Sequence, residues 1–84
     1  METNEINLSI TDRFFAVFDI LIESGRTKTQ TFCREMNVDK RNFRKQQNDH
    51  TRQIIKPFWL TFVVERFGVS AYWLLTGHGQ MFTP

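Results

Sequence analysis

Lysine and arginine are concentrated in the middle third of this 84-residue chain. Residues 26–56 carry nine cationic and three acidic side chains, a local balance of +6. Residues 1–25 balance at −4, and residues 57–84 are neutral. Cationic side chains grouped in this way can bind the phosphates of a polyanion, although a solvated surface helix without a partner has the same composition. Charge alone therefore leaves both interpretations open.

The residue types that build catalytic or metal sites are scattered. Cys33 is the only cysteine, which excludes an intramolecular disulfide and a multi-cysteine zinc site. His50 and His78 have no ligand neighbours at suitable spacing, and no glycine-rich phosphate loop or carboxylate pair occurs. The sequence therefore predicts no enzyme, no cofactor and no metal ion. Cys33, beside Phe32 and Met36, is interpreted as a packing residue rather than a redox sensor.

Composition indicates one small, soluble domain. Apolar residues make up 40% of the sequence and aromatic residues 14%, enough to fill a single core. The polar, acidic N-terminus has no apolar run behind a basic one, so neither a signal peptide nor a transmembrane segment is predicted. With a single cysteine, a reducing, cytoplasmic setting is expected.

Apolar residues at three- and four-residue spacing predict five short helices and no strands. Their expected ranges are 11–24, 28–36, 40–48, 57–67 and 71–76. The fourth helix is expected to point Leu60, Val63, Val64 and Phe67 inward. The expected residues at their starts are Thr11 or Ser9, then Thr27 in a capping box with Gln30 (Thr29 competing), Asp39, Pro57 and Ser70. The expected residues at their ends are Gly25, Asn37, Gly68 and Gly77.

The third helix is the polar one. Phe43 is its only strongly apolar residue, so the helix cannot be buried and must face solvent or a partner. Cys33 where two helices cross, Asn37 in a tight turn and Phe43 as an anchor have the spacing of a helix-turn-helix. The second helix of that motif can enter a DNA major groove about 12 Å wide. Any helical hairpin can share this pattern.

A family resemblance rests on two parts of the chain. The first comprises Phe32–Asp39, Phe43, and the helix from Pro57 to the segment Phe67–Ser70. The second is the tail Val69–Phe82, which contains Trp-Leu-Leu-Thr-Gly-His-Gly-Gln-Met. Together they resemble the lambda-repressor-like (Xre-type) DNA-binding domain, and the tail is similar to the ending of its phage and prophage members.

The resemblance covers about residues 13–82. It implies an all-α, compact five-helix domain with a helix-turn-helix at residues 11–82, preceded by an N-terminal arm at residues 1–10. It leaves open whether these residues are the N-terminal part of a longer protein. The chain departs from the family pattern with Cys33 for alanine, Asn37 for glycine, and Gln46 where a second apolar anchor is common.

Double-stranded DNA is the partner that the resemblance implies. It assigns base-facing positions on the third helix to Lys40, Arg41 and Lys45, with Asn42 and Arg44 beside them. Arginine and lysine can read guanine, and asparagine can read adenine. The expected phosphate or supporting contacts come from Thr29, Asn48, Lys28 and Lys56, with Arg26 and Arg52 flanking them.

The implied function is that of a transcriptional regulator, expected to be a repressor, in the bacterial cytoplasm at the nucleoid. Surplus aromatic residues in the last two helices (Phe58, Trp59, Phe62, Tyr72 and Trp73) fit either a phenylalanine-rich core or a homodimer surface on DNA. The alternative function is a protein-interaction module, such as an antitoxin or adaptor domain, whose basic helix faces an acidic protein.

Overall fold

Five α-helices form the structure, a computed structural model that describes residues 2–50 and 55–83, with side chains from Ser9 onward. They are α1 (Glu2–Glu23), α2 (Thr29–Met36), α3 (Lys40–Asn48), α4 (Pro57–Phe67) and α5 (Ala71–Thr76). The all-α prediction is confirmed. The Cα radius of gyration is 12.2 Å, as expected for a compact domain of this length. None of the helices in these ranges combines the length and hydropathy needed to cross a membrane.

Helix α1 begins at Glu2, well before the expected start. Residues 2–10 contain no glycine or proline, so nothing in that stretch stops the helix. Thr11 is buried inside the helix, and Ile10 packs against the core. The prediction that Thr11 or Ser9 caps α1 is therefore wrong, and residues 2–10, expected to form an arm, are helical.

The N-terminus of α2 also differs from the prediction. Lys28 occupies the N-cap position with an extended backbone, and no side chain caps the helix. The Thr27 hydroxyl instead donates to the Lys28 carbonyl at 3.5 Å. The capping box of Thr27 and Gln30 is thus absent, and Thr29, the competing cap, is already the first helical residue.

The turn between α2 and α3 follows the prediction. Asn37 adopts the left-handed conformation at φ +58°, and its N–H donates to the Arg34 carbonyl. The Val38 N–H donates to the Cys33 carbonyl at 3.0 Å. This pair of bonds ends α2 as a Schellman motif and reverses the chain within three residues. Asp39 then occupies the N-cap position of α3, although its side chain makes no capping hydrogen bond.

An aromatic cluster forms the centre of the core. Phe43 of α3 is fully buried, with its ring 4.9 Å from that of Phe18 and 5.3 Å from that of Phe15. The rings of Phe32 and Trp59 lie 5.7 and 5.6 Å from it on the other sides. Helix α3 is therefore fixed to α1, α2 and α4 through one side chain.

The buried face of α4 is shifted from the predicted one. Val63 and Phe67 are buried as expected, but Trp59 completes their row at four-residue spacing. Leu60 and Val64, predicted to point inward, are only half-buried. Trp59 points inward because its ring fills the space between Phe14 and Phe43, with both centroids at 5.6 Å.

The C-terminal segment folds back on the link between α4 and α5. Val69 and Phe82 form an isolated antiparallel bridge. The Ser70 N–H donates to the Met81 carbonyl at 2.8 Å, and the Thr83 N–H donates to the Gly68 carbonyl at 2.9 Å. The tail is therefore part of the folded domain.

Helix α5 is closed at both ends by internal contacts. The Ser70 hydroxyl accepts from the Trp73 N–H at 3.1 Å, which confirms the predicted cap. Arg13 of α1 donates to the Leu74 and Leu75 carbonyls at 2.7 and 3.1 Å. Gly77 ends the helix at φ +82°, and a Cβ there would lie 3.2 Å from the Arg13 guanidinium. Glycine thus suits the left-handed backbone, and a Cβ would also require the Arg13 guanidinium to shift by a few tenths of an ångström.

Candidate nucleic-acid interface

Helix α3 is buried along one narrow face. Phe43 is 0% exposed and Gln46 is 5% exposed, while Gln47 is half-buried. The remaining residues of the helix are exposed, namely Lys40, Arg41, Asn42, Arg44, Lys45 and Asn48. Every α3 residue assigned to DNA from the sequence is therefore accessible to a partner.

The outward face of α3 follows from helical geometry. Successive residues rotate by about 100°, so the positions opposite Phe43 and Gln46 are those of Arg41 and Asn48. Arg44 and Lys45 lie on either side of this line. The central outward face, defined here as Arg41, Arg44, Lys45 and Asn48, thus carries three cations and one amide.

The two remaining α3 candidates lie on opposite flanks. Lys40 is on the flank toward α2, where its charge and that of Arg44 act on the Cys33 thiol. Asn42 is on the flank toward α4, where it shares a cavity with Lys56. Lys40 and Asn42 are therefore less suited than Arg41 to the centre of a groove.

The cations of α3 outnumber the acidic residues beside them. The helix contains four lysines and arginines and no acidic residue, while Asp39 and Asp49 flank its two ends. The ion pairs of His50 with Asp12 and of Arg66 with Glu35 do not involve α3. The helix thus keeps a surplus of positive charge that an external anion can meet.

The candidates outside α3 are placed at two other helix starts. Lys28 and Thr29 begin α2, whose first N–H groups have no side-chain cap. An eight-residue helix is about 12 Å long, which separates these residues from the α2–α3 turn by that distance. Lys56 is the N-cap of α4 and is exposed. The structure brings Lys56 close to α3, whereas Lys28 and Thr29 form a separate cluster.

Arg26, expected as a flanking phosphate ligand, has an internal role. Its guanidinium donates to the Phe67 carbonyl at 3.3 Å. It also lies 5.6 Å from the Phe67 ring centroid and 5.5 Å from that of Phe82. Arg26 therefore joins the end of α4 to the tail. Arg52, the other flanking candidate, lies outside the described residues.

The surroundings of Cys33 and His50 give each of these residues a structural role. Burial raises the pKa of the Cys33 thiol, against the opposing effect of the nearby cations Lys40 and Arg44. A thiol held protonated in this way is a poor nucleophile, in keeping with a packing role. His50 pairs with Asp12 and stacks on Phe15 at 4.9 Å, which ties the end of α3 to α1.

Sequence reasoning missed two residues beside the interface. Gln46 is buried three positions after Phe43 on the same helical face, so the helical period was the available signal. Trp59 precedes Val63 and Phe67 at four-residue steps, which is the same signal in α4. The aromatic residues predicted to be either core or dimer surface divide accordingly: Trp59 is buried, Phe62 and Trp73 are half-buried, and Phe58 and Tyr72 are exposed.

No protein-family model matches the chain, and neither a curated protein nor a solved structure is significantly similar to it.

The chemistry of the site is that of anion binding and planar hydrogen bonding. Arg41 and Arg44 each present a guanidinium fork that suits phosphate or a guanine edge. Lys45 adds a point charge, and Asn48 can donate and accept. The rigid attachment of α3 through Phe43 fixes these groups relative to the core.

Proposed function

We propose that this protein binds double-stranded DNA, with α2 and α3 acting as a helix-turn-helix and α3 lying in the major groove. The observation that carries the proposal is the exposed outward face of α3, which carries three cations in a helix that contains no acidic residue. Such a face costs free energy through self-repulsion unless an anion binds it. A duplex offers a regular array of phosphates for this purpose.

The shape of this region also supports DNA as the partner. Helix α3 is nine residues long, buries Phe43 and Gln46 on one face and exposes most of its remaining circumference. The major groove is wide enough to admit an α-helix. Arg41 near the start of α3 is suited to reading a base edge, and Lys56 at the start of α4 to holding a phosphate.

The proposed role is transcriptional regulation by occlusion of a promoter. Two copies bound as a homodimer would place two α3 helices on half-sites about 34 Å apart. Phe58 and Tyr72, which are 48% and 64% exposed, are the aromatic residues available for contact between copies. The family resemblance of the helix pair and the tail supports the same role.

Titration with a duplex of random sequence tests the proposal. Non-specific binding is expected at micromolar level or weaker, and affinity should fall with salt along a log–log slope near −9 if a dimer meets about ten phosphates. Lys45→Gln should reduce the magnitude of the slope by about one for each copy, and so by about two for the dimer. Arg66→Gln is the matched control, because it removes an exposed charge that pairs with Glu35 on another face.

A slope near zero would contradict the electrostatic basis of the proposal. Equal effects of Lys45→Gln and Arg66→Gln would mean that net charge, rather than α3, governs binding. Absence of any duplex affinity would favour the alternative of an acidic protein partner for α3.

A further inference from the structure

A polar cavity lies beside α3, on the flank that carries Asn42 and Gln46. Its volume is about 330 Å³, and its walls are the α2–α3 turn, this flank of α3 and the first residues of α4. This volume falls at the lower end of the range typical of small-ligand sites. The cavity is therefore large enough for a compact ligand group.

Trp59 contributes a buried polar atom without a partner to this region. The side chain is 5% exposed, and its Nε1 is shielded from solvent and has no hydrogen-bond acceptor in the described structure. An indole N–H can only donate, and a buried donor without an acceptor is unfavourable. Because the atom is shielded, a lining side chain has to shift before an external acceptor can reach it. Asn42, Lys56 and Phe58 line the same cavity and have exposed side chains, and binding through Nε1 requires a lining side chain to move aside.

The charges around the cavity favour an anion that accepts hydrogen bonds. Lys56 brings a cation that makes no ion pair with a described residue, and Asn42 brings an amide that can donate. Asp39 is the acidic residue of the lining and opposes an anion. Its side chain makes no capping hydrogen bond, so its charge can be removed without losing such a bond.

We propose that this cavity binds a phosphate group, with Lys56, Asn42 and the indole N–H of Trp59 as its donors. A phosphodiester of bound DNA and a free phosphate present the same chemistry to these donors. In the first case the inference deepens the proposed function and rests on it. In the second case the cavity is a separate ligand site adjoining α3.

Titration with inorganic phosphate at constant ionic strength, followed by the indole N–H resonances in ¹⁵N–¹H spectra, tests the inference. Trp73→Phe removes the other indole and assigns the Trp59 signal. A saturable shift of this signal is expected. Lys56→Gln should weaken binding about tenfold, because it removes a charged donor. Asp39→Asn should strengthen binding severalfold, because it removes the repulsion and keeps a residue suited to an N-cap.

Arg66→Gln is the control, since it removes an equal charge from an exposed residue of α4 that does not line the cavity. It should leave the phosphate affinity unchanged. An immobile Trp59 signal, or equal losses in Arg66→Gln and Lys56→Gln, would overturn the phosphate site as a site for the free ion.

A second arm uses duplex DNA carrying a neutral methylphosphonate at one linkage at a time. If a DNA phosphate occupies the cavity, the duplex moves the Trp59 signal, and substitution of one linkage abolishes that shift. A response to free phosphate in a protein that does not bind DNA would support the inference while the proposed function fails. DNA binding with no response of Trp59 to either phosphate source would overturn the inference while the proposed function stands.

Discussion

Helices α3 and α5 differ in how far their polar groups are bonded within the protein. In α5, the Ser70 hydroxyl caps the start, and Arg13 occupies the carbonyls of Leu74 and Leu75 at the end. In α3, Asp39 makes no side-chain cap, and four cations share a helix that contains no acidic residue. The polar groups at both ends of α5 are bonded within the protein, whereas the cations of α3 are exposed.

This difference distinguishes the tail sequence, which the fold explains, from the basic sequence of α3, which is a candidate binding site. The Trp-Leu-Leu-Thr-Gly sequence of the tail has a structural explanation in the cap at Ser70, the positive φ of Gly77 and the close approach of Arg13. The basic sequence of α3 has no structural explanation beyond Phe43 and Gln46. The proposed DNA interface therefore rests on α3 and not on the tail.

Loss of the anchor of α3 is expected to have the largest effect. Phe43→Ala should lower the free energy of unfolding by about 3–5 kcal/mol, because it removes a fully buried ring from the aromatic cluster. Urea unfolding measures the change. Phe58→Ala, at a ring that is 48% exposed, serves as the control and should cost far less. A near-native midpoint for Phe43→Ala would mean that α3 is not held by this ring.

Removal of an outward cation should affect DNA rather than stability. Arg41→Ala is expected to cost about 1–3 kcal/mol of binding free energy on the preferred duplex and to relax preference at one base position. Lys56→Ala should weaken all sequences alike and lower the magnitude of the salt slope by about one for each bound copy. Titration of both variants against preferred and scrambled duplexes at two salt concentrations compares them. Equal losses for Arg41→Ala on both duplexes would place α3 along the backbone rather than in the groove.

At the contact between α1 and α5, a substitution is expected to affect stability and not DNA binding. Arg13→Met keeps the aliphatic stem but removes the donors to the Leu74 and Leu75 carbonyls. It should lower the free energy of unfolding by about 1–2 kcal/mol and leave duplex affinity unchanged. Calorimetric melting and duplex titration report the two effects separately. A selective loss of duplex affinity in this variant would show that the tail region contributes to the site.

The smallest effects on stability are expected at two predicted helix caps, of which Ser70 forms a capping hydrogen bond and Thr27 does not. Ser70→Ala should cost about 1 kcal/mol, because its hydroxyl accepts from the Trp73 N–H. Thr27→Ala should change stability by no more than about 0.3 kcal/mol, because Thr27 caps nothing in α2. Thermal melts of the two variants compare them directly. A loss of stability for Thr27→Ala as large as that for Ser70→Ala would show that Thr27 does cap α2.

Local signals were enough to predict most of the helix ends. Asn37, Gly68 and Gly77 all adopt the left-handed conformation where a helix ends, and Pro57 begins α4. These residues act through their own backbone preferences, so no tertiary information is needed. The start of α1 was missed because it lacks such a signal, and the polar sequence of residues 2–10 hides a continuation of the helix.

The features that the sequence did not predict depend on tertiary contacts. The inward turn of Trp59 depends on the space between Phe14 and Phe43, which come from two other helices. The sequence does not distinguish Arg26 from any other exposed cation, because its contacts come from the end of α4 and from the tail. The α3 candidates were predictable because one apolar residue in a polar helix fixes which face is exposed. The cavity by Trp59 was not predictable, because its walls come from residues 37–46 and 56–59, which meet only in the folded chain.

The contrast between α3 and α5 is tested most directly by mapping where a duplex binds. Backbone amide shifts in ¹⁵N–¹H spectra, recorded as a duplex is added at low salt, report each helix separately. We predict that the largest shifts fall on Arg41, Arg44, Lys45 and Asn48, with the amides of residues 70–77 nearly unchanged. Shifts concentrated on the exposed side of α5, around Tyr72 and Leu75, with α3 unmoved would contradict the assignment of the interface to α3.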